Sequence, residues 1–158
     1  MAAPNQTPDY VYKTNIRPFI DYGVPILDED APLSAALAEL GRSSSRTVLL
    51  KKANSRQVAG IITNCDLAKL EKLGTDLTSK KAKDIATTSP GVVGVRHDAM
   101  LWELLQLING ENSFSRPFNQ VPVLDESKQI VGLITKDDLN RRMLEIETTG
   151  IPPAAQSS

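Results

Sequence analysis

The side chains that could do chemistry come as a repeated set. Gly60, Thr63 and Asp66 recur as Gly132, Thr135 and Asp138, in the same order and with the same gaps. Each threonine follows two aliphatic residues and stands three positions before its aspartate. Thr-x-x-Asp at a strand-to-helix junction has two uses. As a capping box, the threonine hydroxyl and the carboxylate satisfy free N–H groups at the helix start. As a binding site, the same junction offers N–H groups and positive potential to a phosphate. A carboxylate one turn on then accepts two hydrogen bonds from a ribose diol, and the glycine lets a backbone approach closely. The residues alone leave both uses open.

Other reactive chemistry is sparse. One cysteine, Cys65, and one histidine, His97, leave no internal disulfide, no zinc site of cysteines and no poly-histidine metal site. An enzyme would have to be built on these two residues, so no catalytic activity is expected. Cys65 lies within the motif and reads as a helix residue of no special chemistry. His97 is expected at the surface, and Trp102 as partly buried packing. Lysine plus arginine is 18 against 19 for aspartate plus glutamate, a net charge of −1 that argues against nucleic acid. The basic run Lys80-Lys81-Ala82-Lys83 reads as a solvated linker. No stretch approaches the roughly 18 apolar residues of a membrane span. MAAPNQTPDY has no secretory pattern. A cytoplasmic setting is expected.

The elements that must hold these groups repeat too. Val58-Ala59-Gly60-Ile61-Ile62-Thr63 matches Ile130-Val131-Gly132-Leu133-Ile134-Thr135, 72 positions apart. Upstream, Asp30-Ala31-Pro32-Leu33 matches Asp98-Ala99-Met100-Leu101 at an offset of 68, so an insertion lies between. Its expected place is the polar stretch Asn109 to Asn119, because loops absorb insertions. Each copy starts with an apolar stretch, Val24 to Leu27 or Val92 to Val95. An amphipathic helix follows, about Ala31–Leu40 or Ala99–Ile108, with leucines and alanine at helical spacing. Two β runs come next, Thr47–Leu50 with Val58–Ile62 and Val121–Leu124 with Ile130–Ile134, joined by polar turns. A second helix closes each copy, Asn64–Leu73 or Lys136 to about Glu147.

The expected fold is therefore α/β (α+β): two tandem β-α-β-β-α repeats packed with pseudo-twofold symmetry. The divisions are an N-terminal tail at 1–15, repeat one at 16–74, a linker at 75–82, repeat two at 83–147 and a C-terminal tail at 148–158. A chain of 158 residues, 41% hydrophobic, suits one packed unit. Tyr10, Tyr12, Ile16, Phe19, Ile20 and Tyr22 read as a docking arm or linker helix.

Two β-α-β-β-α units, each ending in Gly-h-h-Thr-x-x-Asp-Leu, resemble a pair of cystathionine-β-synthase (CBS) domains, a Bateman module. Val121-Pro122-Val123-Leu124-Asp125 followed by Ile130-Val131-Gly132 matches the family's strand pair. Thr47-Val48-Leu49-Leu50-Lys51 lacks its proline and aspartate. The resemblance covers about residues 16 to 147. It implies ligand sensing rather than catalysis, with no required cofactor. AMP, ADP, ATP or a related adenosine compound would occupy clefts between the repeats. Asp66 and Asp138 would hold ribose; Thr63 and Thr135 would touch phosphate or ribose. Lys136 follows Thr135 and makes the second repeat's site the first choice for phosphate, while Asn64 is uncharged and Asp137 weakens the field. Val24, Pro25 and Ile26, Val92 and Val93, and Val121 with Pro122 would touch the base. The resemblance also implies a homodimer through the closing helices, with Leu67, Leu70, Leu73, Leu139, Met143 and Ile146 as interface candidates. A stand-alone adenine-nucleotide sensor signalling to an unidentified partner protein is one expectation. A protein-interaction module with vestigial clefts is the other.

Overall fold

The computed structural model describes residues 13–70, 79–88, 92–112 and 117–149, with side chains to residue 145. Two three-stranded sheets of identical topology organise them. In the first, β1 (Ile26–Asp28) runs parallel to β2 (Thr47–Lys51), which pairs antiparallel with β3 (Val58–Thr63). In the second, β4 (Val95–Arg96), β5 (Gln120–Leu124) and β6 (Ile130–Thr135) repeat that order. Even the irregularity is repeated, with a register shift at Leu50/Lys51 and again at Val123/Leu124. This is the expected α/β repeat.

The helices follow their apolar spacing. α1 (Leu33–Arg42) buries Leu33, Ala36 and Leu40 on its own sheet. α2 (Leu101–Ile108) buries Leu101, Leu104, Leu107 and Ile108. α3 (Lys136–Thr149) closes the second repeat, running slightly beyond the expected end. After β3 the expected helix Asn64–Leu73 begins as a 3-10 turn, Asn64–Lys69, and its end lies outside the described residues. The β5–β6 turn is set locally: Asp125 Oδ1 accepts from the Ser127 and Gln129 N–H groups, and Lys128 takes φ 63°.

The packing before each first strand departs from the sequence reading. Ile16, Phe19 and Ile20 are not an arm: they are buried in the core of the second repeat, among Leu101, Leu104, Val123 and Ile134. Reciprocally, Ala82 and Ile85 are buried in the core of the first repeat, with Leu33, Val48 and Ile62. Each repeat thus lends its lead-in segment to the other. Backbone bonds fix both exchanges. Asp21 and Leu133 exchange N–H···O bonds at 2.8 and 3.0 Å, and Thr87 and Ile61 do so at 2.9 Å each way. A third cluster, Val24, Leu49, Ile61, Ile130 and Leu133, joins the two sheets. Tyr22 is exposed; Tyr10 and Tyr12 lie outside the described residues.

One of the interface candidates needs correction. Leu139 is fully buried in the second repeat's core and so serves its own chain; Met143 packs against that core and is half-buried. Leu67 and Leu70 pack against the first repeat's core. Leu73 and the side chain of Ile146 lie outside the described residues. Among the described residues no helix is long and apolar enough to cross a membrane.

Candidate functional site

β3 ends at Thr63 and its chain turns at once into the 3-10 turn, which brings Asp66 back beneath the strand end. The Thr63 N–H donates to Asp66 Oδ2 at 2.9 Å, the reciprocal half of a capping box. Asp66 is 5% exposed and has further donors. The Thr87 hydroxyl donates to Oδ1 at 2.9 Å, and Lys69 Nζ stands 3.0 Å from the same oxygen. Lys69 also donates to the Ile85 carbonyl at 3.1 Å. A buried carboxylate held this way is satisfied, as buried charge must be.

The second repeat builds the same junction differently. The Thr135 hydroxyl accepts from the Asp138 N–H at 3.2 Å. The Asp138 carboxylate pairs with Arg141 and, at 2.9 Å, with Arg142 Nε. The carboxylate beside it holds the Arg141 guanidinium's pKa above its usual value. Arg142 also donates to the Pro18 carbonyl at 2.8 Å and so fastens the lead-in segment. Asp21 stands where the first repeat has Thr87, and its carboxylate turns to the Gly23 N–H at 2.8 Å. Lys136 sits at the helix start, its N–H donating to the Asn119 carbonyl at 2.8 Å.

The motif glycines admit the chain itself. A Cβ on Gly132 would meet Ile20 Cγ2 at 2.5 Å and the Asp21 carbonyl at 2.7 Å; one on Gly60 would meet the Thr87 carbonyl at 3.0 Å. The close approach expected from a ligand is made by the lead-in segment of the other repeat.

A cavity of about 290 Å³ opens on the first repeat's side of the inter-repeat seam. Val58 and Ala59 of β3, Val92 and Gly94 before β4, and Leu124 of β5 line it, together with Thr88 and Lys52. Of the expected base contacts, only Val92 is among them. Val24 is buried in the inter-sheet cluster and Ile26 packs against that cluster. The Pro25 carbonyl accepts from the Leu49 N–H at 2.9 Å. Val121 is fully buried in the second repeat's core, Val93 packs on that core, and Pro122 is buried. So the structure joins Thr63, Asp66 and Thr87 at one junction and Thr135 with Asp138 at the other. It leaves Val93 and Val121 facing a core. Thr87, Thr88, Lys52 and Gly94 carry no motif of their own; only the strand register, once known, brings them to the seam.

The remaining singled-out residues do not join this seam. His97 is half-buried rather than exposed, with Nε2 at 2.9 Å from Glu126 Oε1 and Nδ1 at 3.5 Å from Arg17 Nη2. Cys65 is exposed, and Trp102 is 46% exposed. Among the described residues no group of histidine, cysteine and acidic side chains could hold a metal ion.

Residues 82–145 match the family model described as CBS domain. A search of curated proteins returns no match. Among solved structures, the chain is similar to the CBS domain pair of protein MJ0100 in complex with 5′-methylthioadenosine and S-adenosyl-L-methionine. Identity is 19% and the TM-score 0.63, covering 81% of this chain and 98% of that one. It is similar to the CBS-pair protein CBSX2 from Arabidopsis thaliana at 19% identity and TM-score 0.62, covering 85% and 97%. It is similar to protein MJ1004 from Mathanocaldococcus jannaschii at 14% identity and TM-score 0.66, covering 84% of this chain and 60% of that longer one. Residues 82–145 match a CBS domain, and the chain as a whole has the fold of tandem CBS-domain pairs.

Proposed function

We propose that this protein is a regulatory ligand sensor that binds an adenosine compound in its inter-repeat seam and signals the occupancy conformationally. The supporting observation is the cavity of about 290 Å³, whose walls come from both repeats. Its size lies just below the roughly 300–1,000 Å³ usual for ligand pockets, which suits a ligand no larger than a nucleoside. Val58, Val92 and Leu124 offer apolar contact to a base, and Lys52 a cation to a phosphate or carboxylate. A ligand between two bodies shifts their balance only by binding one arrangement better. A seam site has that property, because its walls move with the repeats. A partner protein, or a second copy in a homodimer, then reads the change. The similar MJ0100 pair, in complex with methylthioadenosine and S-adenosylmethionine, supports adenosine as the ligand class. AMP, ADP and ATP share that nucleoside.

One observation favours the second reading, an interaction module with vestigial clefts. Asp66 and Asp138, the ribose candidates, have partners within the chain. Thermal unfolding with added AMP, ATP or methylthioadenosine separates the readings. Binding to the folded state stabilises by mass action, about 2.7 kcal/mol at a hundred times Kd. A concentration-dependent rise in Tm that Lys52→Glu weakens for the phosphorylated compounds is expected. An unchanged Tm with all three at millimolar concentration overturns the sensor and leaves the interaction module.

A further inference from the structure

We infer that the described residues form one ligand chamber per chain, at Val58, Val92 and Gly94, and that the pseudo-twofold counterpart of this chamber is closed by the chain's own side chains. The strand register sets the correspondence. Leu27 pairs with Leu50 as Val95 pairs with Val123, which makes Ile26 the counterpart of Gly94 and Val24 that of Val92. Val58 faces Lys51 as Ile130 faces Leu124, so Ile130 is the counterpart of Val58.

The two sets differ in burial and in bulk. Val58 and Val92 are half-buried and line the cavity. Ile130 and Val24 are 2% and 5% exposed, inside the inter-sheet cluster. Where Gly94 has no side chain, Ile26 sets a half-buried four-carbon group against that cluster, on which Val58 and Val92 also pack. Close-packed atoms leave no room for a ligand.

The β2–β3 loop adds a strap on the closed side. The Ile130 N–H donates to the Arg56 carbonyl at 2.9 Å. The Arg56 N–H donates to Gln129 Oε1 at 2.9 Å, and its guanidinium reaches the Ile130 carbonyl at 3.3 Å. Among the described residues no backbone hydrogen bond ties the β5–β6 turn to Val58 in return. Lys52, at the other end of that loop, lines the chamber. One short loop therefore touches the chamber and grips the second repeat, a direct route from occupancy to the other half.

The identity of the occupant rests on the adenosine reading above; the asymmetry of the two chambers does not. The test uses single cysteines in a Cys65→Ser background, Val58→Cys against Ile130→Cys, alkylated with iodoacetamide in the folded protein. Val58→Cys is expected to react at least tenfold faster, and saturating methylthioadenosine to slow it several-fold while leaving Ile130→Cys unchanged. Should Ile130→Cys fail to fold, Val92→Cys against Val24→Cys makes the same comparison on the opposite wall. Equal rates within either folded pair, or methylthioadenosine protection of the Ile130 or Val24 position, overturns the single chamber. A rate gap with no protection by methylthioadenosine, AMP or ATP upholds the single chamber and overturns the adenosine reading.

Discussion

The first repeat holds its motif aspartate with a hydroxyl, a backbone N–H and a lysine, whereas the second holds it with two arginines. The side chain of Asp66 is 7% exposed and that of Asp138 is 23% exposed. Both stand three residues beyond the same threonine, so the motif does not cause the difference. The lead-in segment does. Thr87 brings a hydroxyl donor to Asp66, while Asp21, in the matching place, turns its carboxylate to the Gly23 N–H and offers Asp138 no donor. Arg142 then does for the second repeat what Lys69 does for the first, joining the aspartate to a lead-in carbonyl. Duplicated motifs keep the same capping task, and the crossed-over segments decide what surrounds them.

The largest effects should come from removing the crossed-over anchors. Phe19→Ala should cost about 3–5 kcal/mol and Ile85→Ala about 2–5 kcal/mol, as buried truncations do, measured by urea denaturation. A cost for Phe19→Ala below about 0.5 kcal/mol, the range of surface changes, would restore the reading of residues 16–20 as an arm. The motif glycines come next. Gly132→Ala places its Cβ against backbone at 2.7 Å and should lose about 1–3 kcal/mol, as overpacking does; Gly60→Ala should lose less. Equal losses would show that the two lead-in segments approach alike.

Smaller again is the contrast between the aspartates. Asp66→Ala orphans buried donors and should cost about 1–3 kcal/mol. Asp138→Ala breaks partly exposed ion pairs worth about 0–1 kcal/mol. Thr87→Asp would copy the second repeat's residue into the first and set two carboxylates together. Like-charge contact raises a folded-state carboxyl pKa, so this variant should regain stability relative to the wild type as pH falls from 7 to 5. Parallel pH profiles would break the link between Thr87 and Asp66. The smallest effect belongs to Asp30, whose carboxyl is held below its ordinary 3.8, chiefly by its hydrogen bond to Lys83. That tie is present above the unfolded value and is lost as pH falls through the lowered folded one. Asp30→Asn should therefore flatten the acid end of the stability curve slightly, with no change at pH 7 in which cleft is open.

Much of the fold was legible because both repeats carry the same periodic pattern. Leu33, Ala36 and Leu40 and their copies at Leu101, Leu104 and Ile108 are spaced for one helical face, and they are buried. The crossing of the lead-in segments was not legible. Phe19 and Ile20 sit in a five-residue stretch interrupted by Pro18, too short for periodicity, and the partners lie far along the chain, as Arg142 does from Pro18. The capping half of the site could be read from Thr-x-x-Asp. Thr87 could not, since a lone threonine carries no motif and meets Asp66 only after the sheets assemble. Val121 and Val92 look alike in sequence, both apolar and near a strand start. Which one faces a core and which a cavity depends on the other repeat.

The most direct measurement is native mass spectrometry of the folded chain across a titration with methylthioadenosine and AMP. One added nucleoside per chain is expected at saturation, lost in a Val92→Trp variant that fills the chamber while keeping its Tm. Two per chain would contradict the closed second cleft, and none at millimolar ligand would contradict the sensor itself.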